Sequence, residues 1–207
     1  IMVFVIGTGL MSLTMSDVPA CAIFMAIGLG MIDKMGLKPG SSFAKALMIG
    51  IPIGALIGGV GTPAGSSINL LGLDQLREFG GIDVGYVHWM AIGMPMVIIL
   101  LPLAAWIISR FYTPEIATIG SAGDIEKERS EMGPMSAAEI KVVLTVGVMV
   151  VLWILSTWVD SLDVYSIGIG GAVVMFLPGF KILNWKQAQA GTGWDALMLV
   201  GGVTSLS

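Results

Sequence analysis

The sequence is poor in cysteine, histidine and charge: one Cys, one His, and only 12% Asp, Glu, Lys and Arg in 207 residues. The lone Cys21 excludes an internal disulfide and, set in an apolar stretch, reads as a small packed residue. The single histidine, His88, leaves no Ser, His and Asp set for hydrolysis and no second His or Cys for a metal centre. It stands beside Trp89 and reads as an interface residue. Soluble domains carry about 25% charged residues, so a chain this short of charge and 56% hydrophobic has the bilayer as its solvent. Its charges gather in a few hydrophilic gaps, which excludes a nucleic-acid surface. No phosphate loop with Gly-Lys-Ser/Thr is present, and the run GVGTPAG at Gly59 to Gly65 lacks dinucleotide-loop spacing and follows no strand. The methionines are dispersed through apolar segments, where packing is the plain reading. With no catalytic pair and no metal cluster, an enzyme is not expected.

What is present is a series of apolar segments. A helix needs roughly 17 to 25 apolar residues to cross a bilayer. Residues 86–110, 139–158 and 164–180 read as three ordinary spans, the first bracketed by Trp89 and Trp106. Residues 1–32 are interrupted by Ser12, Thr14, Ser16, Asp17 and Pro19. That leaves halves of about 13 residues, each too short to cross, and a re-entrant hairpin is expected. Residues 43–76 are interrupted by Gly58, Gly59, Gly61, Pro63, Gly65, Ser66 and Ser67 and read as a discontinuous helix. Gly50, Gly54 and Gly58, spaced four apart, make one face for close helix packing. Both ends read as cut: the chain begins inside an apolar run, and Ala196 to Ser207 stops before it could cross.

Lys and Arg are enriched in cytoplasmic loops. Lys34, Lys38, Lys45, Arg110, Lys127, Arg129, Lys141, Lys181 and Lys186 fall on one side of this topology, which is placed in the cytoplasm. Arg77, with Asp74, Glu78 and Asp83, and then Asp160 and Asp163, fall on the other. Residues 111–138, with five acidic and two basic residues among Gly, Ser and Pro, read as a solvated cytoplasmic connector.

Unpaired backbone at membrane depth is tolerated only where it is buried in protein or lines a cavity. Two breaks in neighbouring segments therefore point to one site. Ser16 or Asp17 suits the cap of a helix running from about Pro19, and Ser66 or Ser67 suits the cap of the half running through Asn69. The two N-termini would face mid-membrane, where their partial positive charge favours an anion. Carbonyls near Leu13 and Gly59, at the ends of the preceding halves, would be free for Na+ or another small hard cation. Asp17 is the most informative residue, because a carboxylate within the membrane marks an ion path or a proton relay by default. The plainer alternative is a helix cap at a watery surface. An ionised Asp17 repels an anion by about 4 kcal/mol at ~4 Å and an effective dielectric of ~20. A bound cation removes that repulsion, which couples the two ligands.

These residues resemble the divalent anion/sodium symporter family, whose members carry dicarboxylates, citrate or sulfate. The family hairpin carries Ser-Asn-Thr at its tip, matched here by Ser16-Asp17-Val18 followed by PACAIFMAI. Its broken helix is matched by Gly58-Gly59, Thr62, Gly65-Ser66-Ser67 and Asn69. GPMSAAE, from Gly133 to Glu139, and WDALMLVGG, from Trp194 to Gly202, look like further landmarks. The resemblance implies an all-α polytopic transporter fold with inverted repeats, a homodimer, and no cofactor besides the coupling ion. It implies a sodium site from Ser12, Ser16, Asp17 and the Gly65 carbonyl, with Ser16, Asp17, Val18, Ser66 and Ser67 near the substrate carboxylate. The second hairpin and second broken helix would lie beyond Ser207. Asp17 stands where most members have Asn, Val18 removes a hydroxyl, and Ser67 and Ile68 replace two prolines. Those departures leave open the anion and the choice of sodium or proton.

The expected protein is thus an integral membrane transporter, in a prokaryotic inner membrane, that moves a small anion such as a dicarboxylate together with sodium. Residues 1–110 would end a first repeat, 111–138 connect, and 139–207 open a second. Its partners are the anion and membrane lipid. The rival readings are a proton-coupled transporter or exchanger of related fold, and a membrane-embedded protein that uses the breaks only for packing.

Overall fold

Helix boundaries follow the interruptions in the apolar pattern. The computed structural model describes residues 1–38, 40–113, 133–159, 161–180, 182–194, 198 and 201–202. Among them the elements are helical: α1 (Met2–Ser12), α2 (Asp17–Lys34), α3 (Ser42–Gly59), a 3-10 turn (Pro63–Gly65), α4 (Ser67–Gly80), α5 (Tyr86–Phe111), α6 (Ala137–Leu155), α7 (Val164–Phe176) and α8 (Trp185–Gly191). The chain forms two units, Ile1–Gly133 with Leu152–Leu162, and Pro134–Val151 with Asp163–Ser207. Most of the expected connector, together with Lys127, Arg129, Asp160, Lys181 and part of the Trp194 to Gly202 landmark, lies outside the described residues.

Among the described residues, three helices are long and apolar enough to cross a membrane: α3, α5 and α6. Two of the expected ordinary spans are among them. The third, 164–180, is corrected. α7 has 13 residues and stops at Leu177, which is extended at φ -60°, ψ 141°. Pro178 follows, and the residue before a proline is driven out of the helical region by the pyrrolidine ring. In the 43–76 segment the first part, α3, reaches span length before the break, and α4 follows it. The break itself falls where the Gly and Pro cluster places it. α4 then ends on Gly81, whose φ of 63° makes a left-handed cap, and the next residue, Ile82, returns its N–H to the Leu76 carbonyl at 3.1 Å.

In the first unit α1 and α3 run alongside each other at backbone contact. A Cβ on Gly54 would strike the Val5 carbonyl, and one on Gly58 would strike the Gly9 carbonyl. The glycine face expected from Gly50, Gly54 and Gly58 is therefore the surface on which α1 lies. α2 folds back against both helices, with Phe4 and Phe24 edge to face at 6.0 Å. A core of Phe4, Ile32, Phe43, Leu47 and Ile51 fills one side. Val5, Ala46, Val97, Leu101 and Ile108 fill the other, against α5. In hydrocarbon such helices gain little from burying apolar surface against each other, so close packing and hydrogen bonds hold them. The outward faces remain apolar, with Val3 79%, Ile92 69% and Ile98 65% exposed, as lipid contact requires.

The second unit is simpler. Ser136 and Glu139 form a reciprocal cap at the start of α6: the Ser136 N–H donates to Glu139 Oε2 at 2.6 Å, and the Glu139 N–H donates to Ser136 Oγ at 3.2 Å. This explains the GPMSAAE landmark as a helix start. Asp163 caps α7 by accepting from the Ser166 N–H at 2.8 Å. Lys141 Nζ donates to the Gly179 and Phe180 carbonyls at 3.3 and 3.2 Å.

Candidate functional site

The α1–α2 tip and the α3–α4 break meet. Thr62 Oγ1 donates to the Leu13 carbonyl at 2.6 Å, bridging segments 49 residues apart. Asn69, 8% exposed on the first turn of α4, turns its amide back across the break. Its Nδ2 donates to the Gly59 carbonyl at 2.7 Å and the Thr62 carbonyl at 2.9 Å. Trp89 Nε1 donates to the Val60 carbonyl at 2.9 Å. The buried Tyr86 hydroxyl reaches the Thr62 side chain and the Ala64 backbone, and its ring stacks on Trp153 at 5.8 Å. The break is thus held by side chains from α4 and α5.

Two expectations are corrected by these bonds. The Leu13 and Gly59 carbonyls are not free, because Thr62 and Asn69 supply donors to them. The serine caps also differ. Ser16 and Ser66 occupy the N-cap positions of α2 and α4, yet neither side chain caps its helix. Both turn to Asp17 instead: Ser16 Oγ donates to Oδ1 at 3.1 Å, and Ser66 Oγ reaches Oδ2 at a long 3.5 Å. The carboxylate attracts a hydroxyl more strongly than a neutral backbone does. Oδ1 also accepts from the Val18 N–H at 3.0 Å, so the carboxylate caps its own helix. Trp89, expected as a membrane-interface anchor, is tied to the break.

The remaining predicted residues surround one space. Ser12 is fully buried, and its hydroxyl is the one buried side-chain polar atom among the described residues with no hydrogen-bond partner. Leaving such a group unsatisfied costs about 1–3 kcal/mol. It faces Gly59, where an added Cβ would lie 3.0 Å from the Gly65 carbonyl oxygen, 3.3 Å from Ser12 Oγ and 3.5 Å from Asp17 Cβ. A hydroxyl, a backbone carbonyl and the base of a carboxylate side chain therefore converge on the bare face of a glycine. Hard oxygen ligands of this kind suit a small hard cation. Ser12, Asp17 and Gly65 bound that space, and Ser16 and Ser66 are joined to it through Asp17. Val18 contributes its N–H while its side chain is 72% exposed, and Ser67 is exposed on the first turn of α4. Neither of those two side chains has a described contact with the cluster.

Residues 8–207 match the family model of the sodium:sulfate symporter transmembrane region. The chain belongs to this family. It is 33% identical to the sodium-dependent dicarboxylate transporter SdcS of Staphylococcus saprophyticus, over 99% of this chain and 44% of the relative. It is 28% identical to SdcS of Staphylococcus aureus, over 99% of this chain and 44% of that protein. An uncharacterized transporter of Haemophilus influenzae is 26% identical over 97% of this chain and 43% of its own length. The chain thus spans less than half the length of these relatives. The family and the relatives are transporters and not enzymes, and with its apolar helices the family makes this chain part of an integral membrane protein.

Thr62, Asn69, Tyr86 and Trp89 are site residues that the sequence reading did not place in the site. Thr62 and Asn69 stand in the family motif, which was the signal that could have found them. Tyr86 and Trp89 carry no such signal, since their partners lie more than 20 residues away in the break.

Proposed function

We propose that this chain carries one half of the binding and coupling site of a sodium-coupled transporter for a small anion, most directly a dicarboxylate. The observation that carries this reading is the buried, unpartnered Ser12 hydroxyl facing Gly59 beside Asp17 and the Gly65 carbonyl. Sodium is the coupling ion held there by Ser12, Ser16, Asp17 and Gly65. The substrate carboxylate lies across the N-termini of α2 and α4, near Ser16, Asp17, Val18, Ser66 and Ser67, where first-turn N–H groups favour an anion. The SdcS relatives, whose name specifies sodium and dicarboxylate, support this choice.

In this reading α1–α2 is a re-entrant hairpin and α3–α4 a discontinuous helix, which puts irregular backbone only where it lines a cavity. Residues 1–110 end one inverted repeat, 111–138 cross the cytoplasmic side, and 139–207 begin the second. The Lys- and Arg-bearing loops face the cytoplasm, and the transporter is a homodimer in a bacterial inner membrane. Asp17 supports a second reading, in which a proton replaces sodium on the carboxylate.

The test is uptake of labelled succinate by the full-length protein in proteoliposomes under a sodium gradient, a proton gradient, or internal dicarboxylate. Uptake driven by sodium is expected. Uptake driven only by protons selects the second reading, a requirement for internal substrate means exchange, and no uptake under any condition overturns dicarboxylate as the substrate.

A further inference from the structure

We infer that Asp17 sets the charge of the anionic group this half-site accepts, favouring a single carboxylate over a doubly charged oxyanion such as sulfate. The inference rests on the reading above and names the substrate class within it. Its basis is a charge balance visible in the fold. The N-termini of α2 and α4 each carry about half a positive elementary charge, and together they amount to about one. The 18-residue α2 and 14-residue α4 are both long enough to develop that charge. Neither N-cap serine spends its hydroxyl on its own helix; both turn to the Asp17 carboxylate, which also takes the Val18 N–H. The single negative charge of Asp17 therefore cancels the two helix ends in place.

The buried and unpartnered Ser12 hydroxyl beside Gly59 and Asp17 is an independent sign of a ligand. With one monovalent cation there, the half-site carries about one net positive charge. One carboxylate balances it. A sulfate group, with twice that charge at one point, leaves an excess negative charge next to Asp17 in a site of low dielectric, where like charges repel strongly. Without Asp17 the same helix ends and cation would sum to about two positive charges, which relieves the penalty against the dianion.

The experiment measures the affinity of sulfate and of succinate for the purified full-length protein, with and without sodium, by ligand-dependent thermal stabilisation. The native protein, Asp17→Asn and Asp17→Glu are compared. The native protein is expected to favour succinate, and to bind either anion only with sodium present. Asp17→Asn is expected to shift the sulfate-to-succinate affinity ratio at least about tenfold towards sulfate, the size of a modest change in charge interaction. Asp17→Glu keeps the charge and is expected to keep the native ratio, which separates charge from damage to the fold. An unchanged ratio in Asp17→Asn, with succinate bound by the native protein, overturns this inference alone. A native protein that binds neither anion under any condition overturns the anion-site reading, and this inference with it.

Discussion

Gly59 offers the sharpest perturbation, because a methyl group there enters the proposed cation space at the expense of only two tight contacts. In Gly59→Ala the new Cβ would stand 3.0 Å from the Gly65 carbonyl oxygen, 3.3 Å from Ser12 Oγ and 3.5 Å from Asp17 Cβ. The first two contacts are tight, and their relief takes shifts of a few tenths of an ångström. Against that crowding, Ala is favoured over Gly in a helix by about 1 kcal/mol, and Gly59 is the last residue of α3. Stability should therefore change by no more than about 1 kcal/mol. The cation fares worse. Moving a unit charge from ~4 Å to ~6 Å from the carboxylate, at an effective dielectric of ~20, cuts their attraction from about 4 to about 3 kcal/mol. That is close to tenfold in affinity, and loss of the Ser12 and Gly65 oxygens adds to it. We expect sodium affinity to fall about 10- to 100-fold. The assay is the sodium-dependent rise in melting temperature of the purified full-length protein, titrated at constant ionic strength. Two controls bracket it. Gly30→Ala, with open space around it, should leave sodium affinity unchanged, whereas Gly58→Ala strikes the Gly9 backbone carbonyl and should abolish folded protein. A folded Gly59→Ala protein with native sodium affinity would refute the placement of the ion.

Ser12→Ala removes a hydroxyl that has no partner, so melting without sodium should hold or rise slightly while sodium affinity drops about tenfold, roughly 1.4 kcal/mol. Asn69→Leu strips the Gly59 carbonyl of its donor and leaves the Thr62 carbonyl only the Gly65 N–H, and should destabilise the protein by about 1–3 kcal/mol, read from thermal unfolding. Thr62→Val keeps the shape but breaks the bond to Leu13; faster amide exchange at the α1–α2 tip than in the native protein is the expected result, and equal exchange would deny the bond any role.

Much of this architecture could be read from residue types alone. Ser, Asp and Pro interrupting one apolar run, and Gly with Pro interrupting another, are local signals, and the helices end at those positions. The candidate residues Ser12, Asp17 and Gly65 were legible through motif resemblance, and the fold brings them to one space. What local patterns do not carry is the partner of each polar atom. Ser16 and Ser66 suit helix caps by type, but a carboxylate close in space takes their hydroxyls, and for Ser66 it stands 49 residues away in sequence. The Leu13 and Gly59 carbonyls look free for the same reason. The overlong reading of 164–180 is of another kind, because Pro178 was present to shorten it and the apolar count outweighed it.

The bond from Thr62 to Leu13 also bears on how such a chain is made. Leu13 and Asp17 leave the ribosome well before Thr62 and Ser66, and each of these bonds spans 49 residues. At roughly 5–20 residues per second, their partners arrive about 2 to 10 seconds later. During that interval the Leu13 carbonyl lacks the Thr62 hydroxyl and the Asp17 carboxylate has only its neighbours Ser16 and Val18 as donors, and exposure to lipid would cost several kcal/mol for each. With α1–α2 as the re-entrant hairpin proposed above, the nascent tip would wait in water or in a hydrated insertion channel until the glycine-rich turn is delivered to it. Membrane entry of the first two helices and completion of the site are, on this timing, one late event.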